Sequence, residues 1–496
     1  MAAASSLAAL LAIAWGVARS PYLALALGAG ASVVLLAWAY PERLERLALV
    51  SVGLLLAGYC FLGKGLAYLP APPIFVSEIV LALGLAAVVL SGAVMPVLRL
   101  PLSWLIIAFA VDGTLRTIPY LDTYGVNALR DAVIWGYGAY AIIVCALVFR
   151  LGCLSRVIRA YGRLVPWLLL GLPVIFVTQN LAQALLPKVL GLVRQVTIPY
   201  LKPVDVAVHL AGAAVFLILG LNRREKRLRG FAAGPKEWFL WLAWLVGILV
   251  AVSINRGGLV AVIAALAVTF SMRPFGRWGK PLVLGVALVG ALVVANLRFD
   301  IGARRSVSLN QVTANMTSLF RITGEPSLDG TRAWRLHWWS VIYNYTVHGP
   351  YFWTGKGFGV NLADDDGFTL SADHALRSPH NSHMTVLARS GIPGMFLWLL
   401  LQAGFAFSML RAYFRARGLG LDDWAHINLW ILAYWTAFMV GASFDVYLEG
   451  PQAGIWCWSL IGFGMAAVAA MEQELKSRAS GQDLVRGKTD VRLHGR

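Results

Sequence analysis

Residues 377–383 read Arg377-Ser378-Pro379-His380-Asn381-Ser382-His383. They join the longest polar segment of the chain, roughly residues 298–380, to a long apolar run that begins near Met384. An imidazole and an arginine therefore stand where a water-facing loop enters a membrane helix. Ionisable groups are costly to bury at such an edge and usually have a function there. We therefore take the other segments of the chain as the scaffold of this edge.

The composition is that of a membrane protein. Of 496 residues, 59% are hydrophobic and only 13% are charged, whereas about a quarter of the residues of a soluble domain are charged. The formal net charge of +18 is expected from the positive-inside bias and from attraction to anionic membrane lipids. A nucleic-acid partner is not expected, because the basic residues are scattered between apolar stretches. The predicted fold class is an all-α polytopic membrane protein.

Fourteen apolar stretches approach the length of a membrane helix, which needs about 20 residues. They are approximately residues 5–18, 22–40, 47–63, 74–94, 102–118, 128–148, 164–180, 204–221, 237–254, 257–271, 281–297, 384–410, 424–443 and 453–471. Two pairs have tight connections, so 12–14 transmembrane helices are predicted. The first stretch lacks a basic flank, and we expect a membrane helix there rather than a signal peptide.

The basic connections between the apolar stretches predict the orientation of the protein in the membrane. When all fourteen stretches span the membrane, the basic segments 150–163, 222–236, 272–280 and 411–417 fall on one side. Lys and Arg favour the cytoplasmic side, so both termini are expected there. The connections expected on the other side, which we take as a bacterial periplasm, are 66–73, 118–127, 178–203, 298–380 and 444–452.

The predicted organisation has four parts. They are N-terminal transmembrane helices in residues 1–297, a periplasmic cap loop of short helices in 298–380, C-terminal transmembrane helices in 381–471, and a basic cytoplasmic tail in 472–496.

His380 is the first candidate for catalysis. An imidazole with a pKa near 6.5 can take a proton from a hydroxyl at neutral pH. Asn381 or Ser382 could cap the next helix, and the helix dipole would then favour a neutral ring at His380. The alternative is an interfacial histidine that only hydrogen-bonds the loop. His383 would share a helix face with His380, but no acidic third ligand stands at a fixed spacing, so no metal site or other cofactor is predicted.

Arginines are the candidates for binding an anionic substrate. Arg256 lies in a tight link between two apolar stretches, beside glycines and a helix N-terminus, which suits phosphate oxygens; the alternative is an arginine that snorkels to the interface. Arg332 and Arg335 stand among aromatic residues of the cap and could hold a diphosphate, or could pack there by cation–π contacts. Arg377 shares this interpretation, and Asn381 is a further substrate-binding candidate.

Other charged residues favour structural roles. Asp112 and Arg116 are four residues apart on one apolar stretch and are expected to neutralise one another. Arg389 lies deep in an apolar stretch and needs a partner, for which Asp112, Asp445 or Glu449 are candidates. The turn of residues 364–366 could bind a divalent ion, but a solvated turn is the favoured interpretation.

These residues carry a resemblance to a known family. His380-Asn381, then nine residues, then Gly391-Ile392-Pro393-Gly394 resembles the signature of O-antigen ligases and related polymerases. The segments around 333–339 and 349–359 look like the loop of that family. Residues 253–257 are similar to its Ser-Arg-Gly turn, with two residues inserted between Ser253 and Arg256. Residues 444–451 resemble its last outer loop, so the likeness covers roughly residues 240–465.

The resemblance implies a metal-independent, inverting membrane glycosyltransferase of the GT-C type. Such an enzyme moves a glycan from undecaprenyl diphosphate to an acceptor hydroxyl, which belongs to lipid A-core in a ligase and to a growing polysaccharide in a polymerase. His380 is then the general base or the residue that orients the acceptor, and Arg256 and Arg335 bind the departing diphosphate.

Other activities remain open at this stage. A polymerase for O-antigen or exopolysaccharide and a protein O-glycosyltransferase would share the donor and differ only in the acceptor. A transporter of lipid-linked glycans would place its ionisable groups at the membrane midplane, whereas most candidates here cluster at one face. A structural membrane scaffold is the least favoured alternative.

Overall fold

The computed structural model describes residues 39–71, 74–191, 195–224, 235–273, 278–295, 298–300, 306–320, 326–370, 372 and 374–480. The first two predicted spans fall outside these residues, except for residues 39 and 40. Most of the predicted tail, from residue 481 onwards, also lies outside them.

Helices dominate the described residues. They are α1 (Pro41–Leu62), α2 (Val76–Leu90), α3 (Val94–Val97), α4 (Pro101–Thr117), α5 (Leu121–Tyr124), α6 (Val126–Gly136), α7 (Gly138–Arg150), α8 (Leu154–Leu181), α9 (Pro203–Ile218), α10 (Pro235–Ile254), α11 (Arg256–Met272), α12 (Gly279–Ala295), α13 (Leu309–Phe320), α14 (Pro326–Val347), α15 (Leu362–Asp365), α16 (Ser382–Gly418), α17 (Asp422–Ala442) and α18 (Pro451–Ala479). Short 3-10 turns lie at Leu66–Tyr68, Ile118–Tyr120, Gln183–Leu185 and Leu221–Arg224. Several helices begin with proline, whose fixed φ and missing N–H suit a first turn.

Strands occur in the described residues as three two-stranded antiparallel hairpins. They pair β1 (Pro70–Ala71) with β2 (Ile74–Phe75), β3 (Lys188–Leu190) with β4 (Gln195–Thr197), and β5 (Arg298–Asp300) with β6 (Ser306–Ser308). Each hairpin lies in a connection between helices.

The helices match the predicted spans. Seven helices of the described residues are long and apolar enough to cross a membrane, and the bent pair α6–α7 would make an eighth. Four shorter apolar helices, in α2, α9, α11 and α12, account for the other predicted stretches between residues 47 and 471. The predicted fold class, an all-α polytopic membrane protein, is confirmed.

The centre of the bundle is formed by α9, α17 and α18. Every residue from Val204 to Ile218 of α9 is buried, as expected for a helix that is apolar on all sides and packed by other helices. Within this core, His209 Nδ1 lies 2.5 Å from Tyr434 Oη, so the polar ring of His209 has a partner. Around the core, α18 packs on α7, and α17 packs on both α11 and α16.

The five connections that were predicted on one side of the membrane meet at one end of the bundle. One cavity is lined by a residue from each of them, namely Tyr68, Val126, Lys202, His380 and Asp445. We call this end the cap end. The helices α7, α11 and α16 run away from it, so the basic segments that follow them lie at the opposite end.

The cap is tied to the membrane helices. Its described elements are the hairpin β5–β6 and helices α13, α14 and α15, and α14 has 22 residues, longer than the predicted short helices. Asn315 of α13 donates to the carbonyls of Val252 and Ser253 at the end of α10. An apolar cluster that includes Trp338, Ile342, Leu362, Phe368 and Leu387 joins α14 to the first turns of α16. The cap therefore holds the start of α16 in place.

Candidate active site

His380 stands directly before the first turn of α16. Its φ is +53°, which is uncommon for a residue other than glycine and requires support from its surroundings. Trp339 donates a hydrogen bond to Pro379 O (2.9 Å). Asn381 caps α16, because its side-chain oxygen accepts from His383 N and Met384 N. The predicted cap is confirmed for Asn381, and its side-chain oxygen is thereby engaged within the protein.

An ionised carboxylate faces the imidazole. Nδ1 of His380 lies 3.5 Å from Oδ1 of Asp445, at the limit of hydrogen-bonding distance, and the His380 side chain is 30% exposed. Burial raises the pKa of Asp445, but the Lys202 ammonium and the His380 ring outweigh it and hold that pKa well below its ordinary value. A carboxylate beside Nδ1 favours the proton on that nitrogen, which leaves Nε2 able to accept one.

Lys202 supports Asp445. Its ammonium lies 3.2 Å from Asp445 Oδ2 and donates to Val446 O at 3.0 Å. Burial lowers the pKa of Lys202, yet the neighbouring carboxylates of Asp445 and Asp205 leave it above its ordinary value. The ammonium therefore remains charged, and the pair is held at the N-terminus of α9.

The loop that carries Asp445 is fixed to the helix that follows His380. Ser382 Oγ, in the first turn of α16, accepts hydrogen bonds from Tyr447 N (3.2 Å) and Leu448 N (3.1 Å). Both backbone donors are buried and would otherwise lack a partner. This clamp therefore holds the backbone of the Asp445 loop next to the start of α16, two residues after His380.

Two of the predicted arginines, Arg335 and Arg256, lie beside the loop that carries Asp445. Arg335 Nη1 donates to Phe444 O at 2.8 Å, and its Nε–H is buried and donates to no described residue. Burial lowers the pKa of Arg335, Asp445 raises it, and Arg256 lowers it further. Arg335 and Arg256 are thus electrostatic neighbours, and two guanidiniums side by side are a favourable place for an anion.

Two glycines, Gly257 and Gly258, allow the start of α11 and its first residue, Arg256, to lie close to the Asp445 loop. A side chain at Gly257 would put Cβ 2.5 Å from Phe444 Cβ, and one at Gly258 would put it 2.8 Å from Ala207 Cβ. Asn255 caps α11 by accepting a hydrogen bond from Gly258 N (2.7 Å). The start of α11 can therefore pack tightly on the Asp445 loop, with Arg256 as its first residue. The structure thus brings together Arg256, Arg335 and His380, which the sequence had suggested separately.

Two further residues that were predicted to bind the substrate are Arg332 and Arg377. Arg332 is half-buried on α14, one turn before Arg335. Arg377 forms a two-pronged ion pair with Asp131 and also donates to Gly359 O (2.7 Å). These contacts favour a supporting role for Arg377, because its Nε and Nη2 donors are engaged within the protein.

Arg389 has a direct partner that was not predicted. Its guanidinium lies 3.0 Å from the carboxylate of Asp131, and it also donates to Gly357 O and Val360 O. Of the three predicted partners, Glu449 lies within electrostatic range of Arg389, whereas no ion pair joins Arg389 to Asp112 or Asp445 in the described residues. Asp131 thus serves both Arg377 and Arg389. A single acidic residue inside the apolar stretch 128–148 was the signal that could have found it.

Other charged residues have structural contacts. The predicted pairing of Asp112 with Arg116 is confirmed at 3.4 Å, and Arg116 also donates to Trp353 O. The solvated turn predicted for residues 364–366 is wrong for Asp366, which is 1% exposed and accepts from Lys356 and Trp338. Lys356 folds back onto this turn and shields Asp366 from water.

His383 contributes to the packing of α16. Its Nε2 lies 3.1 Å from Met439 O, and its Nδ1 accepts from Trp398. Both ring nitrogens are therefore engaged. Among the described residues, no group of three or more His, Cys, Asp or Glu could hold a metal ion.

The glycine-proline pattern after His380 is a break in α16. Gly391 has φ +65° and ψ −162°, outside the helical range. The cap segment joins the break through three backbone hydrogen bonds, from Ile392 N to Phe352 O, from Lys356 N to Ala388 O, and from Gly357 N to Arg389 O. The bend thus docks the cap on the helix that follows His380.

A cavity of about 550 Å³ opens beside His380. One wall comes from the first half of the chain and includes Lys64, Arg130 and Trp135. Further lining residues come from segments 375–380 and 445–452. This contribution could not be predicted, because the first 235 residues contain apolar helices without a motif.

Residues 238–399 match the family model described as O-Antigen ligase. The family resemblance is confirmed. The O-antigen ligase match begins in α10, ends in α16, and includes Arg256, Arg335, His380 and the break at Gly391. It is shorter than the likeness predicted from the sequence, since it stops before the Asp445 loop. No curated protein matches the chain.

Proposed function

We propose that the protein is a glycosyltransferase that moves a glycan from undecaprenyl diphosphate to an acceptor hydroxyl at the periplasmic face of a bacterial inner membrane. The acceptor proposed first is lipid A-core, as in an O-antigen ligase; a growing polysaccharide, as in a polymerase, is the alternative. The observation that supports this most is the meeting of His380, Asp445, Arg256 and Arg335 around one loop at the cap end.

The proposed transfer is a single displacement. Nε2 of His380 takes the proton of the acceptor hydroxyl while the hydroxyl oxygen bonds to the anomeric carbon of the donor glycan. The bond from that carbon to the phosphate oxygen breaks, and undecaprenyl diphosphate leaves with the electron pair. Attack opposite the leaving group inverts the anomeric configuration. The proton on His380 then passes to water.

The surrounding charges fit these steps. The carboxylate of Asp445 stabilises the imidazolium that forms when His380 takes the proton. Arg256 and Arg335 offer guanidiniums to the charge that develops on the departing diphosphate, and fixed donors of this kind contribute strongly to transition-state stabilisation. Guanidiniums thus fill the role that a divalent metal has in other transferases, so we propose a metal-independent reaction.

The direct test is His380→Ala in purified protein, reconstituted with a lipid-linked glycan donor and assayed with lipid A-core and with a polysaccharide acceptor. We expect the rate to fall by about 10²–10⁴, the usual contribution of a general base. The exposed His348 on the same cap provides the matched control as His348→Ala. Transfer at the wild-type rate by well-folded His380→Ala protein would exclude the proposed role of His380.

A further inference from the structure

The cavity beside His380 has the dimensions of a ligand site. Its volume of about 550 Å³ lies within the range of about 300–1,000 Å³ that small-molecule sites occupy. His380, Asp445 and Lys202 are among the residues that line it. Among the described residues, its lining includes neither Arg256 nor Arg335, so the cavity is a different space from the arginine pair that receives the diphosphate in the proposed function.

Three of the four acidic groups that line the cavity are compensated by ion pairs or by burial. Asp131 binds Arg377 and Arg389, and Asp445 binds Lys202. Glu78 accepts hydrogen bonds from the hydroxyls of Ser77 and Tyr137. The fourth acid, Glu449, has its pKa raised by burial, which favours its neutral form. Ion pairing and burial thus reduce the negative charge that Asp131, Asp445 and Glu449 present to an anionic ligand.

Arg130 is a cation of the cavity wall that takes no part in these ion pairs. It is half-buried in the cavity wall and makes no hydrogen bond or ion pair within 4.0 Å with any described residue. The adjacent carboxylate of Asp131 is shared by two other guanidiniums, and both of these lie within electrostatic range of Arg130. A half-buried guanidinium among like charges gains most from an added anion. Lys64 adds a second cation to the same wall.

Aromatic side chains complete the wall. Tyr68, Phe75, Trp135 and Tyr137 line the cavity together with Arg130. Aromatic rings offer flat apolar faces with a polar tip on Tyr and Trp, which suits the mixed apolar and hydroxyl faces of a sugar ring. Cation and aromatic faces together indicate a saccharide that carries a phosphate or carboxylate.

We propose that this cavity binds the acceptor as an acidic saccharide, with Arg130 holding its phosphate or carboxylate and a hydroxyl of the saccharide placed at His380. This inference rests on the proposed function, in which the donor diphosphate binds Arg256 and Arg335. Acceptor and donor then approach His380 from different sides. The first half of the chain selects the acceptor, and the family-matched segment holds the donor.

The first test is direct binding, which needs no turnover. Full-length protein in nanodiscs is titrated with glucose 6-phosphate, with glucose, and with glycerol 3-phosphate, which presents the phosphate without the sugar ring. We expect glucose 6-phosphate to bind most tightly of the three. Arg130→Ala should weaken it about tenfold, in line with the loss of a charged hydrogen bond, and Arg130→Lys should restore part of the affinity. Arg46→Ala, at an exposed arginine of α1, should change nothing.

The second test is kinetic. In the reconstituted transferase, Arg130→Ala should raise the KM for an acidic acceptor about tenfold and leave the KM for the donor unchanged. Arg130→Gln, which keeps most of the side-chain volume, should raise the acceptor KM as Arg130→Ala does. The same result in both variants would exclude a folding defect of the alanine variant as the cause.

Three results would overturn the inference. Unchanged glucose 6-phosphate binding in folded Arg130→Ala and Arg130→Gln protein would exclude Arg130 as the anion ligand. Equal binding of glycerol 3-phosphate and glucose 6-phosphate would indicate a lipid headgroup site. A raised donor KM would assign the cavity to the donor. If wild-type protein transfers no glycan, the proposed function fails, whereas the binding titration still decides what the cavity holds.

Discussion

The Lys202 ammonium lies 3.2 Å from the Asp445 carboxylate, although the two residues are 243 positions apart in the chain. Lys202 stands outside the O-antigen ligase match, and so does Asp445. The acid that faces His380 thus depends on a cation at the start of α9. The proposed catalytic centre therefore draws on both halves of the protein.

Lys202→Met should weaken catalysis through Asp445. Without the ammonium, the pKa of Asp445 rises, and less of it is ionised at mildly acidic pH. We expect kcat to fall about tenfold, and the acid limb of the pH–rate profile to move to higher pH, while the donor KM stays constant. Lys188→Met, at an exposed lysine of β3, is the control. A lower rate with an unshifted acid limb would show that Lys202 acts only on folding.

Arg256→Ala and Arg335→Ala should each weaken binding of the lipid diphosphate. Loss of one charged hydrogen bond to phosphate is expected to lower the affinity about tenfold to a hundredfold. Titration of the purified variants with undecaprenyl diphosphate measures this directly. Arg332→Ala, one turn before Arg335, should have a smaller effect, because no contact joins it to the Asp445 loop in the described residues.

The same titration can contradict the assignment. Wild-type affinity in both Arg256→Ala and Arg335→Ala would mean that the diphosphate binds elsewhere. An equal loss in Arg332→Ala would instead extend the anion site along α14.

Features that depend on residues close together in the sequence were predicted, whereas contacts between residues far apart in the sequence were missed. The apolar stretches predicted the helices, and the pattern after Pro379 predicted the cap at Asn381, because both depend on neighbouring residues. Lys202 was missed, because a single lysine before a helix has no pattern until packing brings it to Asp445. The Arg377–Asp131 pair spans 246 positions and was missed for the same reason. Asp366 was misjudged because Lys356 folds back on a turn that otherwise looks solvated.

Asp131→Asn should destabilise the protein strongly. Asp131 is 7% exposed and carries Arg377 and Arg389, of which Arg389 is 1% exposed. Removing the charge from a buried partner leaves uncompensated cations, at a cost of about 3–5 kcal/mol in the free energy of unfolding. Denaturation of the purified protein in mixed micelles measures this change.

The surface pair of Glu42 with Arg46 is the control for Asp131→Asn. Both of its side chains are more than half exposed, so Glu42→Gln should cost at most about 1 kcal/mol. If the two variants lose similar stability, the buried guanidiniums have found other partners, and Asp131 is not the residue that neutralises them.

Gly391→Ala should loosen the attachment of the cap to α16. Its φ of +65° is strained for alanine, and the new Cβ would lie 2.4 Å from Phe352 O, the acceptor of the hydrogen bond from Ile392 N. Backbone strain of this kind costs about 1–3 kcal/mol, and the close contact adds to it. We expect faster proteolysis within residues 349–359 and a lower transfer rate. Gly53→Ala, in α1 where nothing lies within 4 Å of the new Cβ, should leave both unchanged. Equal proteolysis of Gly391→Ala and wild-type protein would show that the cap is held by its apolar cluster alone.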